Sequence, residues 1–141
     1  MDGLKEKYDI VLQAIRSLEE VLDEITKKEN INPRIYKMIR DSLIQRFEYT
    51  SELLWKYLRL YIEEVYKIPI NAPIPNEVYK IAHDTGLLSK QELASAQKIL
   101  QDRNLTSHIY REVIAQEIAA DIPAHYQFMK IIAERLQPKF F

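Results

Sequence analysis

The run Arg103-Asn104-Leu105-Thr106-Ser107-His108-Ile109-Tyr110 concentrates a permanent cation, a carboxamide, two hydroxyls, an imidazole and a phenol. A guanidinium offers five fixed donors whose fork fits phosphate oxygens. An imidazole titrates nearest neutrality and can take or give a proton. Brought to one phosphodiester, such a pair could cleave RNA without a metal. The arginine would hold the phosphate charge while the histidine moved the proton of the 2′-hydroxyl.

Position decides whether that chemistry is possible. On an unbroken α-helix five residues turn through about 500°, which leaves Arg103 and His108 roughly 140° apart on the wheel. They converge more easily if the helix ends near Arg103 and the chain turns before the next helix begins. Asn104, Thr106 and Ser107 favour such a break, because their side chains hydrogen-bond nearby backbone. Two copies of the chain could also bring two such pairs together across a two-fold axis. On spacing alone, an ordinary helix end with polar caps is the plainer reading, because Arg-x4-His is a loose pattern.

The elements that would carry these residues are helical. Residues 4–28 repeat apolar positions (Leu4, Tyr8, Val11, Leu12, Ile15, Leu18, Leu22, Ile25) at intervals of three and four. Asn30-Ile31-Asn32-Pro33 interrupts them. Residues 34–67 predict one helix of roughly 50 Å, long enough to protrude or to form a shared surface. Pro69, Pro73 and Pro75 mark a stiff connector, with Pro75 in the first turn of a short helix that stops at Gly86. Ser89-Lys90-Gln91-Glu92 is a capping box for a fourth helix running to about Asp102. A fifth begins near His108, and Pro123 should kink or restart it. No strand pattern and no internal repeat interrupts this order. The expectation is an all-α, antiparallel bundle of about five helices, resembling a four-helix up-and-down bundle, in a single domain over residues 1–141.

Composition narrows the chemistry. The chain has 141 residues, 47% of them hydrophobic, enough for a core. Its two glycines, Gly3 and Gly86, exclude a Gly-rich phosphate loop. With no cysteine there is no thiol nucleophile, disulfide framework or Cys zinc site, which fits a reducing cytoplasm. At net charge −1, any nucleic acid must be held by a local patch. No signal-peptide core and no membrane-length apolar run is present.

Arg103-x4-His108-x-Tyr110 resembles the Arg-x4-His-x-Tyr signature of the HEPN superfamily. A second block, Arg40 to Thr50 followed by Glu52-Leu53-Leu54-Trp55-Lys56, is similar to the long-helix signature of its nucleotidyltransferase substrate-binding branch. The helix order, the Gly86 turn and the Ile122-Pro123 step also match, so the resemblance covers roughly residues 4–137. It implies a homodimer through the long helices and a metal-independent endoribonuclease toxin, with no cofactor. A minimal nucleotidyltransferase would be both partner and antitoxin. Arg103 would bind the scissile phosphate and His108 would be the general base. Asn104 would support the site, and Tyr110 would be the phenol open to adenylylation. The alternative is a non-catalytic subunit that presents a nucleotide or other substrate to the nucleotidyltransferase. No Gly-Ser dipeptide with spaced aspartates occurs, so this chain is not the nucleotidyl-transferring subunit.

Other residues admit plainer readings. Glu48, Glu52 and Lys56 share a helix face, and Glu52→Lys56 is a favourable pair. The stripe could be a solvated or dimer-facing salt-bridge row, or Arg46 and Lys56 could line the cleft and touch phosphate. Trp55 reads as a core or interface anchor rather than a base-stacking platform, and Tyr49, Tyr57, Tyr61 and Tyr66 as interface packing. His83 and His125 lack metal-ligand spacing and read as surface or packing residues. Glu19, Glu20, Asp23 and Glu24 read as a solvated helix face.

Overall fold

A computed structural model of the chain describes residues 2–27 and 32–139. The regular elements in that range are helices: α1 (Asp2–Lys27), α2 (Pro33–Val65), α3 (Pro75–Asp84), α4 (Lys90–Leu105) and α5 (Glu112–Arg135), with a 3₁₀ turn at Thr106–His108 between the last two. Of the expected break before α2, Asn30 and Ile31 lie outside the described residues. Asn32 caps α2 by accepting from the Arg34 N–H at 2.8 Å, and Pro33 fills the first turn, where its missing N–H costs nothing.

The remaining boundaries follow local chemistry. Gly86 sits at φ 87°, and the bonds Leu87 N–H to Ala82 C=O (2.9 Å) and Gly86 N–H to His83 C=O (3.0 Å) close a Schellman turn on α3. The predicted capping box is complete: Glu92 N–H donates to Ser89 Oγ at 3.1 Å, and Ser89 N–H donates to Glu92 Oε1 at 2.9 Å. Arg135 donates to the same Glu92 oxygen at 2.8 Å and to the Leu87 carbonyl at 2.8 Å, tying the end of α5 to the start of α4. Two expectations change. The fourth helix continues past Asp102 to Leu105, and α5 runs through Pro123 without restarting. Pro123 is exposed, so its ring stands on the solvent side of α5.

Contacts give the directions. Arg46 and Thr50 of α2 reach the carbonyls of Ser17 and Ala14, so α1 and α2 run antiparallel. Arg40 meets Glu112, Phe47 stacks on His125, and Tyr57 donates to the Leu136 carbonyl, so α2 and α5 run parallel. Helix α4 runs against both, because Glu48 and Glu52 meet Thr106 and Arg103, and Glu92 and Asp102 meet Arg135 and His125. The order α1, α2, α4, α5 is therefore up-down-up-down. The buried core includes Leu18, Phe47, Leu54, Leu58, Ile99 and Ile118. Most of α2's apolar side is spent on this core; Ile35, Met38, Tyr49 and Val65 remain exposed along it.

Candidate functional site

Arg103 and His108 fall on either side of the α4 end. Arg103 stands in the last turn of α4, and His108 closes the 3₁₀ turn that follows. The break therefore occurs where the polar residues favour it, two residues past Arg103. Thr106 stands at it: its hydroxyl donates to the Arg103 carbonyl at 2.7 Å, alongside its own backbone N–H. The same hydroxyl lies on Glu48 of α2.

Helix α2 holds both ends of this segment with two carboxylates one turn apart. Glu48 takes Thr106. Glu52 takes Arg103 Nη2 at 3.3 Å through one oxygen and the Trp55 indole N–H at 3.0 Å through the other. The stripe of Glu48 and Glu52 thus faces α4 within the chain, instead of forming the Glu52–Lys56 pair that the spacing suggested. Lys56 stands 5.9 Å over the Trp55 ring and borders a groove between α1 and α2. Arg46 donates to the Ser17 carbonyl at 2.7 Å and lies 3.7 Å from Glu20, so its cation is directed at α1. Neither Arg46 nor Lys56 borders the cavity at Arg103.

The chemistry-bearing groups differ in exposure. Arg103 is half-buried, Asn104 and His108 are exposed, and Tyr110 is 79% exposed. The His108 and Tyr110 rings meet edge-on with centroids 6.1 Å apart. Arg103 and Asn104 border a cavity of about 630 Å³ between α2, α3 and α4, whereas His108 stands outside it. Within one chain, then, the imidazole and phenol share an exposed edge of the turn, while the guanidinium borders the cavity.

Behind this edge lies a buried cluster that sequence reading missed. His125 Nε2 lies 2.7 Å from Asp102 Oδ2, with both side chains buried. The His125 ring stacks on Phe47 at 5.2 Å. Lys98 Nζ reaches Asp102 at 3.2 Å and Asp121 at 3.5 Å. Burial alone would raise the Asp102 pKa, but hydrogen bonds from His125, Asp121 and Lys98 outweigh it and hold the carboxyl below its ordinary value. Asp121, partly desolvated and facing Asp102, is pushed up. One ligand atom each from Asp102, Asp121 and His125 falls within 4.8 Å, a spacing a metal ion could use, but Lys98 already supplies a cation to both carboxylates. His125 is thus a packing histidine, as expected, but with charged partners. The available signal was two pairs four residues apart, Lys98/Asp102 and Asp121/His125, on facing helices.

Two further contacts anchor the frame. Arg40, 2% exposed, pairs with Glu112 at the start of α5 and with Asp41 at 3.2 Å, fixing where α5 begins after the His108 turn. The Tyr126 hydroxyl lies on Glu19, and Glu20 lies by Arg46, so part of the acidic face of α1 is engaged rather than solvated.

Comparison with known proteins places this geometry. A crystal structure of a protein from Thermus thermophilus aligns with a TM-score of 0.76 at 32% identity, covering 91% of this chain and 99% of that one. A chain of a crystal structure described as a toxin–antitoxin with AMP-PNP aligns with a TM-score of 0.74 over 97% of this chain and 99% of that one. At 12% identity, that second likeness is one of fold. Among curated proteins no significant match is found. The family described as nucleotidyltransferase substrate binding protein like matches residues 6–138, and the chain belongs to that family.

Proposed function

We propose that the chain is the toxin half of a toxin–antitoxin pair, a metal-independent endoribonuclease acting on cytoplasmic RNA as a homodimer and restrained by a minimal nucleotidyltransferase. The observation that carries this reading is the turn after α4. It exposes His108 while Glu48 and Glu52 of α2 fix the backbone and the arginine beside it. Membership of a nucleotidyltransferase-associated family and a fold shared with a toxin–antitoxin chain support the pairing. No helix in the described residues is long and apolar enough to cross a membrane.

In this mechanism His108 takes the proton of a 2′-hydroxyl. The freed oxygen attacks the adjacent phosphorus, the bond to the 5′-oxygen breaks, and Arg103 stabilises the charge that develops. The leaving oxygen takes a proton from His108 of a second copy or from water, giving a 2′,3′-cyclic phosphate and a 5′-hydroxyl. Asn104 supports the phosphate from the exposed rim. The second copy matters because Arg103 and His108 border different surfaces of one chain. Exposed Ile35, Met38, Tyr110 and Val113 on α2 and around the turn offer apolar area for such a dimer. Adenylylation of Tyr110 would add bulk and negative charge beside the site and repel RNA.

Incubation of wild type and His108→Ala with RNA in EDTA tests the assignment. We expect cleavage by the wild type only, with a fall on the order of 10²–10⁴-fold in the variant. Equal cleavage by both, or none by either, removes it. A second reading, a non-catalytic subunit that holds a nucleotide for the nucleotidyltransferase, is favoured by the Glu52 partner that Arg103 already has. Copurification with the enzyme and ligand binding without any RNA cleavage would establish that reading instead.

A further inference from the structure

Arg103 and Asn104, which serve the phosphate in the mechanism above, border the cavity between α2, α3 and α4; the rest of its lining has no role there. Its α4 wall is Gln97, Leu100, Gln101 and Asn104, which recur at i, i+3, i+4 and i+7 and so form one helical face. The first turn of α3 supplies Pro75 and Asn76, with Ile74 just before it, and α2 supplies Glu52 and Trp55. Trp55, Ile74, Pro75 and Leu100 make an apolar surface beneath a rim of carboxamides. Ile74 is 53% exposed, Pro75 and Leu100 are half-buried and Trp55 is 7% exposed, so the open part of this surface is mainly aliphatic. Asn76 and Gln97 are bonded to each other at 3.2 Å, which braces α3 against α4. The amides of Gln101 and Asn104 have no partner among the described residues.

Each carboxamide presents a donor and an acceptor side by side, the pattern that a base edge complements. The open apolar surface suits the face of a ring. Arg103 is the one cation on the lining, and it spends a single nitrogen on Glu52. Four fork donors are therefore available to a phosphate attached to a ring seated in the cavity. Tyr79 is fully buried, and its hydroxyl has no hydrogen-bond partner among the described residues; burial and the Glu52 carboxylate raise its pKa.

We propose that this cavity is a nucleobase subsite, holding the base of the nucleotide whose phosphate Arg103 binds, with adenine preferred. The preference follows from the lining. Asparagine and glutamine amides pair bidentately with adenine N6 and N7, whereas guanine calls for a cation at its O6 and N7, and here the only cation is committed to the phosphate. The subsite would set which base flanks the cut. It rests on Arg103 being the phosphate-binding residue, but not on His108 being a base.

Trp55 is the only tryptophan in the chain and borders the cavity, so its fluorescence reports occupancy directly. The full chain carrying His108→Ala, which removes the proposed nuclease activity, would be titrated with AMP, CMP, adenosine, ribose 5-phosphate and a short uncleaved oligoadenylate. AMP should change the emission saturably, about tenfold more tightly than CMP, and ribose 5-phosphate should not saturate. Gln101→Ala, at an exposed position that folding does not need, should weaken AMP about tenfold. Arg103→Ala should erase the advantage of AMP over adenosine while adenosine still binds. Tighter binding of the oligoadenylate than of AMP identifies RNA as the source of the base, and the reverse identifies free nucleotide. No saturable change with AMP, equal binding of ribose 5-phosphate, or AMP binding unaltered in Gln101→Ala overturns the subsite. Because the readout is binding by a variant without His108, loss of the ribonuclease reading leaves this result standing, and the converse also holds.

Discussion

Two neighbouring residues, Asp102 and Arg103, begin two different regions. Consecutive positions on a helix point about 100° apart, so Asp102 turns into the core toward His125 while Arg103 turns out toward Glu52 and the cavity. Each region has a histidine, a carboxylate and a cation. In the inner one, His125, Asp102, Asp121 and Lys98 satisfy one another and the histidine is stacked on Phe47. In the outer one, His108 is exposed, its ring edge-on to Tyr110, and Arg103 keeps donors to spare. The same residue types therefore serve structure where they are desolvated and paired, and are available for chemistry where they are not.

That contrast can be broken by substitution. The largest effect on stability is expected at Asp102→Ala, which strands a buried histidine and should cost about 3 kcal/mol in urea melts. His108→Ala should stay within about 0.5 kcal/mol of wild type in the same melts, as an exposed position should. Comparable losses at both sites would erase the distinction between the two regions.

A smaller effect is expected where the frame meets the turn. Arg40→Ala removes the buried guanidinium that binds Glu112, and should cost about 1.5–3 kcal/mol, as charged hydrogen bonds do. If the link serves to place the turn, cleavage should also fall while the far end of α5 keeps its amide-exchange protection. An unchanged melt would show that Arg40 is replaceable by solvent.

The smallest concerns Glu92. The Arg135 hydrogen bond, with the bonds to Ser89, holds its carboxyl down at about 2, below the ordinary 4.5, against a burial effect that pushes the other way. A depressed folded-state pKa means that its contribution is complete above about pH 4.5 and disappears as pH falls toward 2. After solvent screening we expect about 1 kcal/mol. Glu92→Gln retains a capping-box acceptor but no charge, so its stability should lack this acid-limb slope. An identical slope in wild type and variant would assign the acid loss to other carboxylates.

The helical frame was legible because its causes are local. Period-3.6 apolar spacing, the Asn32-Pro33 start, the Gly86 turn and the Ser89/Glu92 box each act over a few residues, and all appear as expected. The restart offered for Pro123 does not occur: the residue stands on the exposed side of α5, and the helix continues through it. In the site, residue type and spacing singled out Arg103, His108 and Tyr110, and the break between the first two falls where the polar residues favour it. The acidic stripe on α2 was visible, but its target was not: Lys56 was the local candidate for Glu52, and Arg103, 51 residues away, is the partner.

What the sequence determined by itself was the set of helices, their caps and the chemical content of the turn after α4, all governed by hydrogen bonds and periodicity between near neighbours. The fold decided the rest: Asp102 with His125 across 23 residues, Glu48 with Thr106 across 58, Arg40 with Glu112 across 72, and the cavity three helices enclose. Such contacts depend on how whole helix faces pack to exclude water, a global condition that no local pattern encodes.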